Sequence, residues 1–239
     1  MKYALVTGAS GGIGEAICYR LAQAGHFVYV HANKNRDKAQ LVVDHIQSSG
    51  GHAQALVFDI TQYQAVNDVL CDLPEDHIIQ IIVNNAGIHS DAPMAGMNPE
   101  QWHEVIDVSL HGFFNVTQPL LLPMMRTRWG RIISLSSVAG VMGNRGQANY
   151  AAAKSGLHGA SKSLAIELAS RGVTVNCVAP GIITTPMTEE VFDKNMIKSI
   201  VPMQRAGRAE EVAALVDFLA SDDAGYISGQ VININGAMA

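Results

Sequence analysis

Thr7-Gly8-Ala9-Ser10-Gly11-Gly12-Ile13-Gly14 closes a short apolar run, Tyr3–Thr7, and opens a stretch of helical period. Gly8 permits a tight turn, Gly12 lets backbone approach a pyrophosphate, and Gly14 lets a helix lie close to its strand. The N–H groups and dipole at the helix start then face phosphate oxygens. Ser10, Gly11 and Ile13 complete the expected nucleotide loop. The same residues also satisfy G-x-S-x-G, the elbow of an α/β-hydrolase, with Ser10 in the nucleophile's place. That elbow needs strands before it and an acid and a histidine in order after it. His158 is the nominee for the histidine, and the hydrolase reading fits poorly.

Working outward, Phe27–His31, Ala53–Phe58, Ile78–Val83, Arg131–Ser136, Val173–Val178 and Val231–Ile234 read as six further strands. Several are apolar at consecutive positions, as parallel strands covered on both faces must be. Helical stripes lie between them, such as Ile13, Ile17, Leu21 and Ala24, stopped by Gly25, and Val212, Leu215, Val216 and Leu219. The order predicts an α/β fold: one Rossmann-type domain over 1–239, a doubly wound seven-stranded parallel sheet with helices on both faces. The stretch from Pro180 to Gly207 reads as irregular, with a flexible substrate flap over about 184–206.

Composition narrows the function. The chain has 239 residues, 48% hydrophobic and 15% charged, with a net charge of −5. Disorder is excluded, and nucleic acid or an anionic membrane is disfavoured as main partner. Cys18, Cys71 and Cys177 match neither a disulfide framework nor a metal-ligand spacing, so no metal and a cytoplasmic location are expected. No apolar run has the length of a membrane span, and no signal-peptide layout precedes Tyr3.

The end of the second strand reports on the cofactor. An acidic residue there binds the adenosine ribose and repels a 2′-phosphate. Here the chain reads Val30-His31-Ala32-Asn33-Lys34-Asn35-Arg36, with no carboxylate before Asp37. Asn33 with Lys34 or Arg36 suits a phosphate, which favours NADP(H) over NAD.

Ser136-Ser137-Val138-Ala139-Gly140 stands at a strand end, and Tyr150-Ala151-Ala152-Ala153-Lys154 follows. Four residues apart on a helix, Tyr150 and Lys154 share one face. An ammonium near a phenol favours the phenolate and lowers its pKa, which suits proton exchange near neutrality. Ser137 offers a hydrogen bond to a substrate oxygen.

Together these motifs resemble the short-chain dehydrogenase/reductase family over essentially the whole chain. The resemblance implies further nucleotide contacts at Asp59 and Ile60, at Asn85, Ala86 and Gly87 in Asn84-Asn85-Ala86-Gly87, and at Pro180 and Gly181 with Ile183 and Thr185 beyond. It implies that Ser137 orients the carbonyl, that Tyr150 is the acid/base, and that Lys154 binds nicotinamide ribose while lowering the tyrosine pKa. The family's catalytic Asn falls on Ser109, whose shorter reach puts the proton relay to solvent in question. Gly146-Gln147-Ala148-Asn149-Tyr150 and Ala169-Ser170-Arg171-Gly172 resemble the branch that reduces β-ketoacyl groups on acyl carrier protein. That likeness implies an NADPH-dependent homotetramer in fatty-acid or polyketide-type synthesis, with Arg128 and Arg171 docking the carrier near the pocket mouth. Another carbonyl or alcohol substrate on the same scaffold, or a non-catalytic NADP-binding subunit, remains an alternative reading.

Overall fold

Both parities of each central strand are buried, because helices cover both faces of one sheet. The computed structural model describes residues 1–184 and 193–239. In β1 (Tyr3–Val6), Ala4 and Val6 pack with Val28, Val30, Ile81 and Val83 on one face. Leu5 packs with Tyr29, Ile82 and Ile132 on the other. The first face is covered by α1 (Gly12–Gln23), α2 (Arg36–Ser48) and α9 (Ala209–Ala220), through residues such as Ile17, Val42 and Val216. The second lies under α3 (Tyr63–Cys71), α5 (Gly112–Thr127) and α7 (Ala148–Leu168), through Val66, Val116 and Leu168.

The remaining strands are β2 (Phe27–Ala32), β3 (His52–Val57), β4 (Ile79–Asn84), β5 (Gly130–Leu135), β6 (Val173–Pro180), β7 (Ile183–Thr184), β8 (Gly207–Arg208) and β9 (Val231–Ile234). The main sheet has seven strands, all parallel, in the order β3-β2-β1-β4-β5-β6-β9. The expected doubly wound sheet is present, with most strand ends within a residue or two of expectation. β6 runs on to Pro180 because Ala179 and Pro180 pair with Asn233 and Ile234 of β9. The order reverses between β1 and β4, and that switch point is where such sheets hold ligands.

Within the stretch expected to be irregular, the described residues include regular elements. Residues 185–192, and with them Thr185 and much of the expected flap, lie outside the described residues. Beyond them, Asp193 caps α8 (Lys194–Ile200) by accepting from the Asn195 and Met196 amides at 2.7 and 2.8 Å. β7 and β8 form a separate two-stranded parallel pair.

A second departure lies between α4 (Pro99–Ile106) and α5. Asp107–His111 is a π-helical turn, and it contains Ser109. Such turns insert an extra residue into a helix and recur at functional sites.

Candidate active site

The loops after β1 and β4 meet at the switch point and hold each other. Thr7 Oγ1 accepts the amides of Asn85 and Ala86, both at 3.0 Å. Asn85 Nδ2 donates to the carbonyls of Thr7 and Gly8, each at 2.9 Å. Gly8 has φ +62°, and a Cβ on it would lie 2.8 Å from the Ala86 Cα, so both its conformation and its surroundings require glycine. Gly11 is exposed, and a Cβ there would meet nothing within 4 Å. The loop is thus clamped on the protein side and open on the other, with Gly12, Ile13 and Gly14 forming the first turn of α1.

His31 closes the loop from β2. Gly8 N–H donates to its Nδ1 at 3.1 Å, and Ala9 N–H donates to its carbonyl at 2.8 Å. The sequence reading took His31 only as a strand residue. A polar side chain ending an otherwise apolar run beside a nucleotide loop was the available signal.

Asn33 and Lys34 are exposed in the turn after β2, and Asn35 caps α2 by accepting from the Lys38 amide at 3.0 Å. Arg36 begins that helix and is also exposed. After β3, Asp59 Oδ1 accepts from the Thr61 amide and hydroxyl at 2.9 and 2.8 Å. Ile60 is buried, and its carbonyl accepts from Asn115 Nδ2 of α5 at 2.8 Å.

Ser137 follows β5 and caps α6 (Val138–Met142), its Oγ accepting from the Ala139 amide at 3.1 Å. The Ser137 side chain lies beside the Tyr150 phenol and favours its ionised form. Asn149 sets the start of α7: its Nδ2 donates to the carbonyls of Ser90 and Gln101 at 2.9 and 2.8 Å. One turn after Tyr150, Lys154 is buried, with Nζ donating to the Leu135 carbonyl at 2.8 Å. Nζ also stands 5.6 Å from the Tyr150 ring centroid. A Cβ on Gly87 would lie 3.1 Å from it, so the loop after β4 closes over the ammonium.

The electrostatics correct one expectation. Burial pushes the Tyr150 phenol above its ordinary value, and the neighbouring Ser137 side chain works the other way. In the free protein the downward pull on the phenol therefore comes from Ser137, while the Lys154 ammonium is held by the Leu135 carbonyl. Burial also lowers Lys154 itself, to about 8. Ser109 is 4% exposed, and its Oγ has no hydrogen-bond partner among the described residues.

Arg128 and Arg171 are not at this site in the same chain, contrary to the expectation of a patch at the pocket mouth. Arg128 immediately precedes Trp129 and the start of β5, and Arg171 lies just before β6, whereas Ser137 and Pro180–Gly181 are at the other ends of those strands. A six-residue strand spans about 20 Å. The two arginines do neighbour each other: Arg128 Nη2 donates to the Ser170 carbonyl at 3.2 Å. The hydrolase reading also fails on geometry. His158 Nε2 pairs at 2.6 Å with Ser136 Oγ, not with Ser10. Ile183 is buried in β7, directly after the Pro180–Gly181 turn.

Glycine-rich loop, helix start, and the tyrosine, serine and lysine all gather at the carboxyl edge of one parallel sheet. The cradle left by Gly8 and Gly14, open at Gly11, fits the pyrophosphate of a dinucleotide. Fold and site define a Rossmann-type oxidoreductase that works with a nicotinamide nucleotide. The family model described as short chain dehydrogenase matches residues 2–196. The chain belongs to the short chain dehydrogenase family.

Its relatives include proteins named 3-oxoacyl-[acyl-carrier-protein] reductase FabG. The one from Escherichia coli (strain K12) is 45% identical over 240 residues, covering 99% of this chain and 97% of the relative. That of Aggregatibacter actinomycetemcomitans is 42% identical over 236 residues, 98% of each. That of Staphylococcus epidermidis is 43% identical over 240 residues, 99% and 98%.

Proposed function

We propose that this protein reduces a β-ketoacyl thioester, carried on acyl carrier protein, to the β-hydroxyacyl thioester with NADPH, in fatty-acid or related acyl-chain synthesis. The observation that carries the reading is Ser137 beside Tyr150 at the carboxyl edge of the sheet, backed by a buried lysine 5.6 Å from the tyrosine ring beside the nucleotide loop. Full-length likeness to proteins named for that reaction supports it.

When bound, the nicotinamide supplies hydride to the carbonyl carbon. The chain's own residues handle the oxygen. Ser137 and Tyr150 donate hydrogen bonds to it, and Tyr150 delivers its proton as negative charge develops there. A phenol held above its ordinary pKa keeps that proton at neutral pH, which suits the direction of reduction. Lys154 holds the nicotinamide ribose once its ammonium turns from the Leu135 carbonyl. Ser109 Oγ, buried and without a partner among the described residues, suits one end of a proton relay. Gly8, Ser10, Gly11, Gly12, Ile13, Gly14, Asp59, Ile60, Asn85, Ala86, Gly87, Pro180, Gly181 and Ile183 would hold the nucleotide. Exposed Asn33 and Lys34, with no carboxylate beside them, support NADP(H).

Exposed Phe114 and Leu122 on α5 and Ile166 on α7 support assembly of copies, a homotetramer by family likeness. With Arg128 and Arg171 at the far edge of their own sheet, a carrier docked on them would serve another copy's site. Free thiols at Cys18, Cys71 and Cys177 support a reducing, cytoplasmic setting. The test is the loss of NADPH absorbance at 340 nm on adding a β-ketoacyl group on acyl carrier protein. No loss with that substrate, but loss with a sugar or aromatic carbonyl, would reassign the enzyme within its family.

A further inference from the structure

His31 is 1% exposed, and its ring has a single consistent protonation pattern. Nε2 lies 2.8 Å from the Phe58 carbonyl, which only accepts, so Nε2 carries the proton. Gly8 N–H donates to Nδ1, so Nδ1 carries the lone pair. The ring also lies 4.1 Å from the Phe58 ring, centroid to centroid. With the bond from Ala9 N–H to its carbonyl, one residue holds the first two amides of the phosphate loop. Asn85 holds the carbonyls of Thr7 and Gly8 from the opposite side.

We propose that His31 is a positioning residue for the dinucleotide: neutral and protonated on Nε2, it locks Gly8 so that the rest of the loop faces the pyrophosphate, and protonation of its ring releases that lock. The proposal rests on the dinucleotide-binding reading of the site. The cation would carry a hydrogen on Nδ1 that faces the Gly8 N–H, donor against donor. The chain resists that state. Burial holds the imidazole down to about 4, against the upward pull of its Phe58 bond and of the Asp59 carboxylate, which follows β3. Gly8 and Phe58, which contact the ring, bring no charge.

Two measurements test it. In the free protein, imidazole ¹⁵N resonances of His31 should report the Nε2–H form from pH 8 down to pH 5.5. An Nδ1–H form, or titration near the ordinary histidine value, would overturn the proposal. The second measurement is NADP⁺ titration by calorimetry at pH 7 on the native protein, His31→Asn and His31→Gln. Asparagine can place an oxygen near Nδ1 and accept from Gly8, whereas glutamine reaches the Phe58 carbonyl and leaves Gly8 without an acceptor. Glutamine should weaken binding about tenfold and asparagine less than about threefold, the loss of roughly one hydrogen bond. Equal affinities, or the reverse order, would overturn the proposal while native binding upholds the nucleotide site. A native protein that binds no NADP⁺ overturns both readings. Where the glutamine variant does not fold, the native ¹⁵N resonances decide.

Discussion

Gly14 approaches Asn85 so closely that a Cβ on the glycine would sit 2.6 Å from the asparagine Nδ2. The same Cβ would lie 2.6 Å from the Gly8 carbonyl oxygen, which that Nδ2 binds. Gly14→Ala must therefore push apart the clamp between the loops after β1 and β4. Calorimetric affinity for NADP⁺ should fall about tenfold or more, the scale of one or two lost hydrogen bonds. Unchanged affinity would remove the nucleotide from this loop.

Tyr150→Phe keeps the ring and deletes the proton donor. Turnover of a β-ketoacyl thioester should fall on the order of 10²-fold or more, while NADPH still binds. Fluorescence titration of NADPH alongside steady-state rates separates the two effects. Near-native turnover would transfer the acid role to another group.

Lys154 links stability to pH in a direction set by burial. Its folded value is about 8 against the ordinary 10.5. Between these two pH values the unfolded chain keeps a proton that the folded chain has released, so stability rises with pH across that window. Below it both states are charged, and the burial cost applies in full. Relative to Lys154→Met, the native protein should gain up to about 3 kcal/mol in denaturant unfolding between pH 7 and pH 10.5. Parallel pH curves for the two proteins would mean that the buried amine titrates like a solvated one.

Ser109→Asn should change the reduction rate by less than about tenfold, or 1.4 kcal/mol of barrier, because the native hydroxyl already offers the relay an oxygen. A larger gain would show that the serine leaves the relay broken.

Lys34 is exposed and has no structural partner to lose among the described residues. Lys34→Glu should raise KM for NADPH several-fold by repelling the 2′-phosphate, with little change for NADH. Equal shifts for both cofactors would place the ribose elsewhere.

The glycine spacing and the Tyr150–Lys154 pair were legible in the sequence because each rests on a local rule, steric room in one case and helical period in the other. His31 was not, since Phe58, which fixes its tautomer, lies 27 residues away and meets it only through strand pairing. The burial that raises the tyrosine was not legible either. Sequence spacing brings the two side chains to one face but says nothing of the Leu135 carbonyl that captures the ammonium. Helix Lys194–Ile200 was hidden by its methionine and proline surroundings, although Asp193 was a readable cap. The position of Arg128 and Arg171 was readable too: both precede their strands, and the expectation of a mouth patch came from resemblance alone.

The π turn at Asp107–His111 makes the length of that segment a functional quantity. Upstream, α4 packs on α7; downstream, α5 packs on α3 and the sheet. One added residue changes helical phase by about 100°, which lets a continuous run of helix turn its apolar side from one neighbour to the next. Deleting a single residue between Asp107 and His111 would restore α-helical pairing and rotate Val116, Leu120 and Met124 away from the strands they cover. Point substitutions within this turn should therefore be accepted far more readily than any change in its residue count.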